Sequence, residues 1–136
     1  MRKLVILSLA FFLGVVGCTS GAKSPSVGQR SPSKVASAML NPAVTQATIH
    51  QTICVKGWTK TIRPRNLPTR RGYEDDHIIP LELGGAPSAK VNLRFVPLPR
   101  ARRDDVLENQ LRGQVCAHAI TLAEGQKEML AAKQGE

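Results

Sequence analysis

The period of the apolar positions changes several times along the chain. Leu4 to Val16 is an almost unbroken apolar run behind Arg2 and Lys3, whereas Thr19 to Leu40 shows no apolar periodicity. Val44, Ala47, Ile49 and Ile53 recur at helical spacing behind Asn41-Pro42, which predicts a helix of about ten residues stopped by Gly57. Trp58 to Ile62 then reads as a short strand, with Trp58 as a core anchor. Tyr73 to Ile79 is β-branched and aromatic and ends at Pro80, a second strand signal. Gly84-Gly85 and Ala86-Pro87-Ser88 follow as a turn region, and Leu93-Arg94-Phe95-Val96 alternates apolar and polar side chains as a partner strand. A hairpin of these two strands brings Asn92 back beside His77. Leu107, Leu111 and Val115, with Val106 beside them, mark one face of a helix from Ala101 to about Ala117. Its other face is charged, so the apolar one is expected to pack on the hairpin. Thr121 and Glu124 form a capping-box pattern opening a last helix that buries Leu122, Met129 and Leu130, weakened by Gly125. No internal repeat is visible.

The first apolar run is too short to span a bilayer comfortably and lies where an export signal belongs. Val15-Val16-Gly17-Cys18 resembles the lipobox of bacterial lipoprotein signals, so residues 1–17 read as a cleaved signal and Cys18 as the acylated first residue of the mature chain. An ordinary secretory signal or a short uncleaved anchor is the alternative. The Ser, Gly, Pro and Lys-rich stretch 18–40 cannot bury enough surface to offset its ordering entropy and reads as a flexible tether. Residues 41–136 then form one domain. By Gram-negative sorting rules, Thr19 after the cysteine favours the outer membrane, with the domain facing the periplasm or the cell surface.

With 136 residues, 42% hydrophobic, the chain holds one small domain with a marginal core. One Trp, one Tyr and three Phe are present, and Phe11 and Phe12 fall in the signal, so that core must be mainly aliphatic. Once Cys18 is assigned to lipid, Cys54 and Cys116 remain. In an oxidising compartment they predict one disulfide, whose loop of about sixty residues contributes on the order of 4 kcal/mol. Two separately buried thiols are the rival reading. Neither cysteine has a partner at zinc-finger spacing, which argues against a structural Zn²⁺ site. His50 reads as a surface or half-buried imidazole without chemistry.

Charge points to a polyanion. The net charge is +9, and removal of Arg2 and Lys3 leaves 17 basic against 10 acidic residues, or +7. Lys56, Lys60, Arg63, Arg65, Arg70 and Arg71 run without an acidic residue, and Arg94, Arg100, Arg102 and Arg103 follow the hairpin. Such a field favours sequence-independent, salt-sensitive phosphate contacts, with DNA the expected ligand. A merely solvated basic surface, or attraction to anionic lipid, is the alternative. Nothing in the sequence points to a protein partner.

Asp76-His77, the apolar-Pro-Leu stretch behind it, Gly84-Gly85 and Asn92-Leu93 are similar to the core of the HNH endonuclease family. The similarity extends outward through WTKTIRP (58–64) and VCAHAITLAEGQ (115–126), as in the exported bacterial branch of that family. The resemblance implies an α+β fold with a small ββα-metal core, in which one divalent cation sits between the hairpin and the following helix, with flanking helices. It implies a metal-dependent endonuclease hydrolysing phosphodiesters of DNA in the cell envelope. His77 would be the base that activates water, and Asp76, on the opposite strand face, a hard oxygen ligand suited to Mg²⁺ or Mn²⁺ and acceptable to Zn²⁺. Asn92 would hold the hairpin loop and orient the imidazole, and Arg100, Arg102 or Arg103 would clamp the phosphate. The family's helix ligand, a His or Asn, is replaced here by Arg100-Ala101-Arg102, so Asp104 or Asp105, one turn on, is the candidate substitute. The alternative is a catalytically inactive, lipid-anchored protein that keeps the hairpin as a nucleic-acid-binding scaffold.

Overall fold

Tyr73–His77 forms strand β1 and Leu93–Pro97 forms strand β2, paired antiparallel with Tyr73 opposite Pro97 and His77 opposite Leu93. Alternation along the pair puts Glu74, Asp76, Arg94 and Val96 on one face and Tyr73, Asp75, His77 and Phe95 on the other. The first face is covered by helices, and Val96 on it is buried. The computed structural model of the chain describes residues 32–134. The export signal, Cys18 and the tether up to residue 31 lie outside the described residues.

Four helices accompany the hairpin: α1 (Pro32–Ala38), α2 (Trp58–Ile62), α3 (Leu98–Cys116) and α4 (Leu122–Gln134). Helix α3 follows β2 without a loop. Pro99 is tolerated in its first turn, where a backbone N–H has no intrahelical acceptor. Helix α4 opens on the predicted capping box: the Thr121 backbone N–H donates to Glu124 Oε2 at 2.7 Å, and the Glu124 N–H donates to Thr121 Oγ1 at 3.2 Å. Gly125 weakens the helix intrinsically but is buried, and a Cβ there would meet Val115 Cγ2 at 3.0 Å. The missing side chain lets α4 lie close on α3. Between these helices and the hairpin loop lies an aliphatic core that includes Ile49, Ile53, Leu83, Leu111, Val115 and Met129. The fold is α+β.

Cys54 and Cys116 are joined, with Cα atoms 5.6 Å apart and a separation of 62 positions in sequence. The disulfide ties the segment before α2 to the end of α3. Arg112 Nε reinforces that junction by donating to the Ile53 carbonyl at 2.7 Å.

Several expected elements differ. Residues 41–53 bury Val44, Ile49 and Ile53 as anticipated, but through turns and a single 3-10 turn at Ile49–Gln51 instead of an α-helix. Polar side chains there bond to nearby backbone: Asn41 Oδ1 accepts from the Ala43 N–H, while the Thr48 hydroxyl accepts from the Thr45 N–H and donates to the Ala43 carbonyl. Such local bonds compete with helical ones. Trp58–Ile62 is helical and not a strand, because Gly57, at φ 83°, reverses the chain into a new turn. Helix α1 lies within the stretch read as tether, and Leu40 just beyond it bridges to Gly85. On α3, Leu111 and Val115 are buried and Leu107 packs against the core as expected, whereas Val106 is 68% exposed and Ala101, Asp104 and Glu108 extend the buried face. Among the described residues no helix is long and apolar enough to cross a membrane.

Candidate functional site

His77 ends β1 and is buried, its Nε2 donating to the Pro87 carbonyl at 3.0 Å. A neutral ring bonded that way carries its lone pair on Nδ1. The loop that supplies Pro87 is held by Asn92, which is fully buried. Asn92 Oδ1 accepts from the Ile79 N–H at 2.8 Å, and Nδ2 donates to the carbonyls of Ile79 at 2.9 Å and Ala86 at 3.1 Å. One amide thus closes both ends of the loop. Gly85 is required at the same place, since a Cβ would lie 1.8 Å from the Ile79 carbonyl oxygen. Asn92 therefore acts on the loop, and the imidazole takes its orientation from Pro87.

The carboxylates expected to bind a cation do not converge on one point. Asp104 is buried and accepts from Arg100 Nε at 2.7 Å, with Arg94 Nη2 at 3.4 Å. Asp105, next along the helix, is exposed. Asp76 Oδ2 accepts from Lys133 Nζ at 2.7 Å. That lysine reaches back from the last turn of α4 with its side chain fully buried, and it also donates to Glu108 Oε1 at 2.9 Å and to the His77 carbonyl at 2.6 Å. Asp76 of β1 and Glu108 of α3 are therefore bridged by an ammonium held by three oxygens. Among the described residues no group of three or more His, Cys, Asp or Glu could hold a metal ion. The set Asp76, Asp104 and Asp105 does not fit a divalent cation, because two of its members already neutralise internal cations and the third faces solvent.

The chain matches no protein-family profile, no curated protein and no solved structure.

Lys133 and Glu108 are the residues that sequence reasoning missed. Both carry a positional signal. Leu122, Gly125, Met129 and Lys133 form the buried stripe of α4, and Ala101, Asp104, Glu108, Leu111 and Val115 that of α3. Charges on a core-facing stripe require partners, and these three carry opposite signs. Fully ionised, the Asp76, Lys133 and Glu108 cluster holds one negative charge in excess. Burial pushes the Glu108 carboxyl up to about 7, against the lowering pull of Lys133 and with a further push from Asp76. Because this folded-state value lies above the unfolded one, its stabilising contribution is complete below pH 4.5 and is lost as pH rises through about 7. Glu108→Gln is accordingly expected to flatten the decline in stability across that window, by about 3 kcal/mol. Urea midpoints measured for both proteins from pH 4.5 to 8 check this, and parallel profiles would refute it.

Of the predicted phosphate contacts, Lys60, Arg63, Arg65, Arg70, Arg71, Arg102 and Arg103 are exposed. Arg100 is half-buried and serves the fold, bonding Asp104 and the Ala132 carbonyl. Arg63 and Arg70 line an open groove of about 290 Å³ together with Leu67, Tyr73, Asp75 and Leu98. The Arg70 guanidinium lies 4.1 Å from the centre of the Tyr73 ring. Phe95, opposite Asp75 on the same sheet face, is 41% exposed. Exposed arginines, with half-buried Tyr73 and exposed Phe95 on the same sheet face, are groups that can contact the phosphates and bases of a single strand.

Proposed function

We propose that the chain is a nucleic-acid-binding protein on an HNH-type scaffold, in which the Lys133 ammonium holds the position that the resemblance assigns to a divalent cation. The scaffold is read from the order of β1, the Asn92-clamped loop, β2 and α3, with Asp76 facing the helix. The observation that carries the proposal is the placement of Lys133 Nζ between Asp76 and Glu108, within 2.9 Å of both. Binding falls to the groove and the basic residues around it, and lipid on Cys18 would hold the domain at the cell envelope.

Neutralising Arg63, Arg65, Arg70 and Arg71 to Gln tests the binding surface. Each phosphate that the protein no longer neutralises should reduce the slope of log K against log salt by about 0.9 for duplex DNA. The fourfold variant should therefore show a slope shallower by about 2 to 4 and at least about tenfold weaker binding. Titrations of fluorescent single- and double-stranded oligonucleotides over a salt series read this directly. An unchanged slope would assign the patch to something else.

Hydrolysis is the second reading, and the place of His77 favours it. The Pro87 carbonyl fixes the tautomer that leaves Nδ1 as the proton acceptor, the arrangement a general base needs.

A further inference from the structure

His50 and His118 lie 68 residues apart in sequence, yet their Nε2 atoms approach to 2.8 Å, with ring centres 4.8 Å apart. Both residues are exposed, and neither belongs to the His77 site. The disulfide holds them together: His50 is four residues before Cys54, and His118 is two residues after Cys116. His118 also has φ 57°, the one non-glycine residue with positive φ among the described residues. That conformation costs a non-glycine residue roughly 1 kcal/mol, and here it turns the imidazole toward His50.

We infer that His50 and His118 form a surface site for a divalent transition-metal ion of the copper or nickel type. In the absence of metal, one imidazole donates its Nε2 proton to the other. When a cation binds, the donor ring shifts its proton from Nε2 to Nδ1, so that both rings stay neutral and both Nε2 lone pairs are free for it, the form in which imidazole serves as a ligand. Imidazole nitrogen suits Cu²⁺ and Ni²⁺, and Cu²⁺ stands highest among the divalent first-row ions in affinity for such ligands, so it should bind more tightly than Zn²⁺. Water completes the coordination, and the disulfide lowers the ordering cost by holding the two ligand-bearing segments in place.

Titration of the purified protein with Cu²⁺ by calorimetry, with electron paramagnetic resonance at one equivalent, tests the site. The expected result is one Cu²⁺ per chain with nitrogen couplings from two imidazoles. Affinity should fall by about tenfold or more in His50→Ala and in His118→Asn, the latter chosen because Asn tolerates a left-handed backbone. Cu²⁺ that binds equally well in both variants, or a wild-type spectrum without two imidazole nitrogens, would overturn the assignment.

Discussion

Replacing Lys133 by Met is expected to destabilise the protein by about 3–5 kcal/mol, the usual cost of leaving a buried charge uncompensated. The loss is large because the side chain is fully buried and all three of its acceptors lie within 2.9 Å. Asp76 and Glu108 would then face each other across a dry space without a cation. Total stability of a small domain is about 5–15 kcal/mol, so the melting temperature should drop by about 15 °C or more. Removing the carboxylates as well, in Lys133→Met with Asp76→Asn and Glu108→Gln, should recover most of that loss, since a neutral cluster carries no ionic desolvation penalty. Thermal unfolding of both variants checks the pair. A small shift in the single variant, or no recovery in the triple, would mean that the ammonium is not what holds β1, α3 and α4 together.

Loss of the Cys54–Cys116 bond is the second large effect expected. Opening a loop of 62 residues frees the unfolded chain by about 4 kcal/mol of closure entropy, comparable to the Lys133 effect. The core it supports is aliphatic and small, and the segment from Asn41 to Val55 has no long helix or strand to hold it in place. Cys54→Ser with Cys116→Ser should therefore lower the urea midpoint sharply. Mass spectrometry after alkylation of the non-reduced, denatured protein should find both cysteines blocked from reaction, and free thiols at either position would contradict the pairing.

The parts of this fold that were legible in the sequence are those encoded by short-range chemistry. The first hairpin strand is marked by aromatic and β-branched residues ending at Pro80 and the second by alternation, with a glycine pair between them, and the Thr121–Glu124 cap needs only four residues to specify it. The disulfide followed from cysteine arithmetic and compartment. What escaped depends on partners distant in sequence. The buried stripe of α3 was legible in its second half, at Leu111 and Val115, but not in its charged first half, where Asp104 and Glu108 occupy positions at which apolar spacing finds nothing, and Val106 is exposed. Lys133 stands four residues after Met129 on the buried stripe of α4, but its partners do not show in the sequence. Its role shows only once α4 has folded back over Asp76, 57 residues away. Residues 41–53 misled in the opposite way, since their apolar side chains are buried while Asn41 and Thr48 tie the backbone into turns. His50 looked isolated for the same reason as Lys133, its neighbour being 68 residues on.

The groove proposed for binding depends on these structural features. Arg63 and Arg70 reach it from the chain before β1, and Leu98 from the start of α3, so its shape depends on the hairpin and helix that Lys133 secures from the opposite face. Loss of Lys133 should therefore weaken nucleic-acid binding only as far as it unfolds the protein.

The central claim is that an internal ammonium takes the cation's position and leaves a binding protein without metal-dependent chemistry. Its most direct test is to incubate purified protein with supercoiled plasmid in EDTA, Mg²⁺ or Mn²⁺, following retention and nicking in the same samples. Retention in EDTA and no nicking under any condition are the expected results. Nicking that requires Mg²⁺ or Mn²⁺ and disappears in His77→Ala would contradict the claim and assign the site to hydrolysis.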